Sequence, residues 1–395
     1  MLSFSQTLRA LRAWSSGWGI GPGRGHRGRR GGPSGLQLTY VAAVASLRPW
    51  FTAPLWLAAA ACLALPVVDR ALGWADTSPR NWFIAVVFLC VSGAAAWGAS
   101  CLRNGPLRLL PFAILLLALG NEASQRLTRH RYAASAPRRT VGATDSLWRP
   151  ITTTDLVTHF YEIPANALQV KRLRVAQISD LHVSPQLPKA YFEAALDSVV
   201  ATDPDLILLT GDYVSRLENV PLFAQLLPGR LHARLGVFAV LGNHDFWTAP
   251  EAVRQILSAA GITLVSAGCV RLPAAVGRVL VCGTEAPWGP TLDTPLAPVD
   301  LSLVMSHTPD NIYDLSALGA SVVFSGHTHG GQGRVPGFGA VIMPSRYGRV
   351  FDEGHFRVGK TDLFVSSGVG ADTPPLRVYC SPDVIVVDFV NTRGR

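Results

Sequence analysis

Five short apolar runs in the second half of the chain each stop on residues able to bind a cation, and nothing else in the sequence constrains the fold as tightly. They are Leu173–His182, Asp205–Asp212, Val237–Asp245, Leu301–His307 and Val322–His329. Runs of this length bounded by turn residues read as strands buried on both faces. Helix-like segments at 190–201 and 250–260 separate the early ones. Such alternation implies an α/β fold, whose ligand sites gather at the carboxyl ends of strands. The expectation is five strand ends converging on one sheet edge. A glycine before each of Asp212, Asn243 and His327 would let the backbone turn sharply there.

Each motif alone has an ordinary explanation. Gly211-Asp212 is most simply a turn, and Asn243-His244-Asp245 can cap a helix starting near Pro250. His307 alone would be a satisfied core histidine. The two histidines in Gly326–Gln332, spaced by one residue at a strand end, can face a common site. The joint occurrence of all five is what points to chemistry. Carboxylates, imidazoles and an amide oxygen together suit Mn, Fe or Zn better than Mg or Ca. A carboxylate bridging two such cations at about 3.5–4 Å makes a clamp for both oxygens of a phosphoryl displacement.

With these motifs in order and undamaged, the sequence closely resembles the calcineurin-like metallophosphoesterase superfamily over roughly Arg172–Phe389. Thr210–Tyr213, Ser306–Asp310, Gly326–Gln332, Ser366–Gly370 and Pro375–Arg377 look like its membrane-associated bacterial branch. The resemblance implies a four-layer α/β/β/α sandwich. It also implies two divalent metal ions (Mn, Fe or Zn). One would be held by Asp180, His182, Asp212 and His329, the other by Asp212, Asn243, His307 and His327, with Asp212 bridging. It gives His244 the protonation of the leaving oxygen and Asp245 the orientation of that imidazole. A hydroxide activated by the two metals would be the nucleophile.

The rest of the chain differs in kind. Hydrophobic residues make up 49% and charged residues only 15%, against roughly 25% charged in ordinary soluble domains. The net charge of +9 is carried by residues 1–149, with 17 Lys+Arg against 4 Asp+Glu; residues 150–395 hold 18 against 22. Arginines flank four apolar runs near 36–47, 53–68, 81–101 and 107–120, as the positive-inside rule expects of membrane spans rather than of a nucleic-acid binder. The expected organisation is a basic disordered N-terminus (1–35), about four transmembrane helices (36–122), a linker (123–155) and the metallophosphoesterase domain (156–395). Basic clusters on both flanks favour an even number of crossings, in the inner membrane, with the catalytic domain cytoplasmic. None of the six cysteines has zinc-site spacing, so reduced thiols are expected.

The expected activity is hydrolysis of a phosphodiester, phosphomonoester or pyrophosphate, on a lipid-linked or envelope metabolite such as a UDP-diacylglucosamine. Arg334, Arg346, Arg349 and Arg377 are candidates to grip phosphate, and Phe338–Phe351 and the loop at Trp288 to meet lipid. Two other readings are a phosphodiesterase or nuclease for soluble substrates with a membrane anchor, and a non-catalytic metal-binding scaffold.

Overall fold

The structure, a computed structural model, describes residues 110–142, 147–372 and 374–393. The expected basic N-terminus and the first three apolar runs lie outside the described residues. The fourth run is partly described, as the start of helix α1 (Leu110–Tyr132). No helix among the described residues is long and apolar enough to cross a membrane.

Strands are numbered along the chain; β11 (Arg334–Val335) and β12 (Gly339–Ala340) pair with each other as a separate two-stranded sheet. The first sheet holds β1 (Arg139–Gly142), β2 (Val157–Pro164), β3 (Arg172–Ile178), β4 (Leu206–Leu209), β5 (Val237–Ala239), β6 (Thr263–Leu264) and β15 (Asp383–Val390), in the order β1-β2-β15-β3-β4-β5-β6. The second holds β7 (Ala267–Arg271), β8 (Val279–Thr284), β9 (Leu301–Ser306), β10 (Val322–Ser325), β13 (Gly354–Val358) and β14 (Thr361–Val365), in the order β13-β14-β10-β9-β8-β7. Both are mixed: β3, β4, β5 and β6 run parallel, as do β8, β9, β10 and β14, with antiparallel partners at β15, β7 and β13.

The two sheets pack face to face, and the period of two along each strand shows how. Leu173 and Val175 of β3, Leu206 and Leu208 of β4, and Leu303 and Met305 of β9 point into the shared core between sheets. Ala176, Ile178, Ile207 and Leu209 point outward, where helices α2 (Lys189–Val200), α3 (Val220–Leu226) and α5 (Pro250–Ala259) cover them. On the far side Val304 and Val323 pack under α6 (Ile312–Ala317). Both faces are therefore dry, which is why these strands read as continuous apolar runs. The four layers among the described residues agree with the sandwich expected above. Helix α5 illustrates the local logic. Pro250 at its first turn loses no helical hydrogen bond, Val253 and Leu257 share one buried face, and Gly261 at φ 77° turns the chain away after its end.

Three expectations need correction. The strand ends do not line one sheet: β3, β4 and β5 belong to the first, β9 and β10 to the second. In the stretch expected as linker, the described residues 123–142 and 147–155 hold elements that pack on the domain. The first of them continue α1, whose Arg129 pairs with Asp352 at 2.7 Å, and Arg139–Gly142 adds edge strand β1 beside β2. Sequence periodicity missed this because a four-residue edge strand carries too little pattern. Finally, Cys269 and Cys282 are not free thiols but a disulfide, joining directly opposed residues of β7 and β8. Only the hairpin register brings them together. Cys380 is a buried free thiol as expected.

Candidate metal centre

All seven expected metal ligands meet at the facing ends of the two sheets, and all are buried. Asp180 and His182 follow β3, Asp212 follows β4, and Asn243 opens helix α4 (Asn243–Thr248) after β5. His307 follows β9, and His327 and His329 follow β10. Five of them hold left-handed backbone: Asp180 (φ 51°), His182 (39°), Asp212 (57°), His327 (68°) and His329 (50°). A non-glycine residue there is uncommon, and strain of this kind persists only where surrounding structure enforces it.

The glycines before the ligands act differently from one another. Gly211 supplies a positive φ of 98°, as expected. Gly242 does not; its φ is −101°. A Cβ on Gly242 would lie 2.2 Å from Asp212 Oδ1, and one on Gly326 would lie 2.0 Å from Asp180 Oδ2. These two glycines serve close approach rather than turning.

The expected ligands fall into two groups, and a third cluster, His182, Asp212 and His244, lies between them. Asp180, His182 and His329 form one, and Asp212, His307 and His327 the other. Asp212 Oδ2 touches both, at 3.6 Å from His182 Nε2 and 3.1 Å from His307 Nε2. Its other oxygen, Oδ1, is fixed by the His244 N–H at 2.8 Å. Asn243 joins the second group through Oδ1, 3.0 Å from His307 Nε2.

The hydrogen-bond roles test whether cations fit. His307 Nδ1 lies 2.7 Å from the Thr210 carbonyl, which can only accept. With Nδ1–H spent there, Nε2 faces the Asn243 and Asp212 oxygens, the position a cation would share with it. His182 and His329 meet Nε2 to Nε2 at 2.9 Å; Ser215 holds His182 Nδ1 at 2.5 Å, and Arg377 donates to His329 Nδ1 at 3.2 Å. Such a second contact fixes a ligand ring for its metal. Nitrogen and oxygen donor atoms converge at both places, so each group could hold a divalent cation.

Electrostatics agrees. Burial, then the neighbouring imidazoles, depress His182 to about 4. Burial and His307 depress His327 to about 3, and burial with His182 and Arg377 holds His329 well below the usual histidine range. These rings are neutral and ligand-ready. His307 differs: burial opposes its charge, but Asp212 outweighs burial and raises it to about 9. Burial and Asp212 raise Asp180 to about 6 against the pull of His307, whereas the surrounding histidines hold Asp212 well below its ordinary value despite burial.

The two catalytic expectations fare differently. His244 is buried over the site, its ring 4.8 Å from that of His182. Asp245 does not orient it. Its carboxylate accepts the N–H groups of Asp212, Tyr213, Val214 and Gly242, at 2.8, 2.8, 3.2 and 3.0 Å. The reason is local: Asp245 sits in the first turn of α4 and folds back over the helix start. The carboxylate beside the His244 ring is Asp372, with Oδ2 3.6 Å from Nε2. Sequence gave no signal for Asp372, because it comes from a loop more than a hundred residues away. Trp247 and Trp288 were equally illegible as neighbours of the site; their rings lie 5.2 Å from His244 and 5.1 Å from His327.

The four arginines considered for phosphate are otherwise engaged. Arg377 is fully buried and donates to the carbonyls of Ser367, Gly368 and Gly370. Arg334 pairs with Asp352 and Glu353, both at 3.0 Å, Arg346 with Asp310, and Arg349 with Glu122.

The model of the calcineurin-like phosphoesterase family matches residues 173–331, which contain every one of these ligands. Phosphodiesterase YaeI of Escherichia coli is 30% identical over 224 residues, covering 55% of this chain and 82% of that protein. The chain belongs to the calcineurin-like phosphoesterase family. Like that family it is a metal-dependent phosphoric ester hydrolase. Among other relatives, the metallophosphoesterase YkuE of Bacillus subtilis is 28% identical over 228 residues, covering 55% of this chain and 79% of its own. The UDP-2,3-diacylglucosamine pyrophosphatase LpxG of Chlamydia trachomatis is 26% identical over 227 residues, covering 45% and 69%. This phosphoesterase thus shares its catalytic domain with proteins named for different phosphate bonds.

Proposed function

We propose that the protein hydrolyses a phosphodiester at a two-cation site and acts on a lipid-linked or envelope metabolite. One observation supports the reading: Asp212 Oδ2 lies 3.6 Å from His182 Nε2 and 3.1 Å from His307 Nε2, between two candidate ligand groups, with the His244 ring 4.8 Å from that of His182. Asp180, His182, Asp212 and His329 would hold one cation, and Asp212, Asn243, His307 and His327 the other. Two divalent cations, when bound, lower the pKa of water and neutralise charge on the phosphoryl oxygens.

The chain's own residues do the rest. The His244 N–H fixes Asp212 Oδ1, so the other oxygen stays aimed at both groups. Asp245 gathers the loop N–H groups around Asp212 and so fixes where that carboxylate stands. The His244 imidazole, next to both ligand groups, presents a proton at Nε2 to the departing oxygen. Trp247 and Trp288 wall the site and limit water.

Membrane attachment through residues 36–122 is part of the proposal and rests on their apolar runs and arginine flanks. A second reading, cleavage of a lipid-linked pyrophosphate, is favoured by the likeness to the Chlamydia trachomatis enzyme. The test is turnover of bis-p-nitrophenyl phosphate by the purified full chain with added Mn, Fe or Zn. Metal-dependent turnover that Asp212→Asn lowers by more than about 10²-fold supports the reading, since a bridging ligand should cost at least what outer-shell partners do. Full activity in Asp212→Asn, or no turnover despite two bound metals, overturns it.

A further inference from the structure

The groups around His244 carry a charge pattern that a simple anion site does not need. Asp372 Oδ2 stands 3.6 Å from His244 Nε2, and its side chain is 19% exposed. The loop is clamped there by Gln332, whose Oε1 accepts the Asp372 N–H at 2.9 Å and whose Nε2 donates to the carbonyls of Asp372 and Pro374. Trp247 packs against the same histidine with ring centres 5.2 Å apart. Trp288 meets Trp247 at 6.4 Å and 88°, so the two indoles form a corner rather than a slot. Among the described residues no arginine or lysine makes a hydrogen bond, ion pair or ring contact with His244, Trp247, Trp288 or Asp372. A carboxylate facing a phosphate site repels added negative charge, and aromatic faces beside it attract a cation.

We propose that the leaving-group side of this site receives an ammonium-bearing alcohol, so that the substrates are phosphodiesters of choline- or ethanolamine-like amino alcohols. The inference rests on the phosphodiesterase reading and narrows it. Asp372 pairs with the ammonium, and Trp247 and Trp288 offer it their ring faces. Water adds through its oxygen to phosphorus while the bond from phosphorus to the amino-alcohol oxygen breaks. The departing oxygen takes the proton held by His244, which recovers one from the attacking water. The products are a phosphomonoester and the free amino alcohol. A pyrophosphate is disfavoured, because its leaving group brings a second phosphate against Asp372.

The test uses the full-length, metal-loaded protein and two isosteric diesters, glycerophosphocholine and its 3,3-dimethylbutyl analogue, which differ only in charge. Phosphatidylcholine vesicles form a third arm, separating a membrane headgroup from the free diester. The choline ester should be preferred by at least about tenfold in kcat/KM, a gap within reach of one cation–π and one ion-pair contact. In Asp372→Asn the preference should fall toward unity, and Trp247→Leu should lower it too. A purely structural role for either residue would depress both esters alike and leave the ratio unchanged, which would overturn the proposal. Equal rates for the two esters in the unmodified protein, or faster cleavage of UDP-2,3-diacylglucosamine, would also overturn it. Turnover of bis-p-nitrophenyl phosphate in the same preparation separates this failure from failure of the phosphodiesterase reading, which predicts that turnover whatever the amino-alcohol result.

Discussion

Asp212 Oδ2 stands 3.1 Å from His307 Nε2, and in the absence of a cation a proton holds the two together. The carboxylate raises His307 to about 9 although burial opposes its charge. A metal ion needs that same nitrogen unprotonated. Metal uptake at this group should therefore release a proton below pH 9. Affinity should rise with pH up to about 9 and level off above it, because only there is the competing proton already gone. Calorimetric titration with Mn in buffers of different ionisation enthalpy measures the released proton; pH-independent binding between 6 and 9 would contradict the arrangement.

His244 and Asp245 should separate cleanly on mutation. His244→Asn should keep both metals and slow turnover by about 10²–10⁴-fold, the usual range for a lost general acid. Asp245→Asn should act on the fold instead. An amide cannot accept all four backbone N–H groups that the carboxylate now satisfies, at a cost of about 1–3 kcal/mol for each buried donor left unpaired. A lower melting temperature with reduced metal content in Asp245→Asn, and neither in His244→Asn, is the expected pattern. Unchanged stability in Asp245→Asn would restore its expected role as the partner of His244.

Gly242→Ala tests close packing at the bridge. The new Cβ would sit 2.2 Å from Asp212 Oδ1 and 2.6 Å from the Asp212 nitrogen. The bridging carboxylate must move, and a shift near 1 Å at a reacting centre costs about 10²-fold. Steady-state rates at saturating metal should show that loss. By contrast Gly261→Ala, where no atom lies within 4 Å of the new Cβ, should cost only the strain of its positive φ in a melting curve.

If the chain is membrane-attached as proposed, the Cys269–Cys282 bond bears on which side the domain occupies. Disulfides persist in oxidising compartments and are rare in the cytosol. The arginine flanks favour the cytoplasmic side, and the cross-strand bond favours the other. Alkylation of denatured protein from freshly quenched cells, with and without prior reduction, decides between them. Two cysteines labelled only after reduction would place the domain in an oxidising compartment outside the cytoplasm. Full labelling without reduction would support the cytoplasmic, even-numbered arrangement.

The sequence alone determined the strands, the two-faced burial and the seven residues that converge on the candidate site. The reason is that each of them sits within four residues of the end of a short buried strand, so local pattern and chemistry coincide within about ten residues. His307 shows how far this reaches: one histidine after Leu301–Ser306, it was legible because a buried strand must end somewhere and this one ends on an imidazole. What lay between elements was not legible. That Asp245 binds backbone depends on the chain after β4 folding against the start of α4, and that Asp372 faces His244 depends on a loop following β14, placed by the Gln332 clamp rather than by any periodicity. The disulfide needed the register of β7 against β8, and the arginines needed partners from distant segments. Sequence pattern reports what a residue does within its own strand or helix; only tertiary packing decides which distant charge it meets, since that pairing is fixed by how whole layers stack.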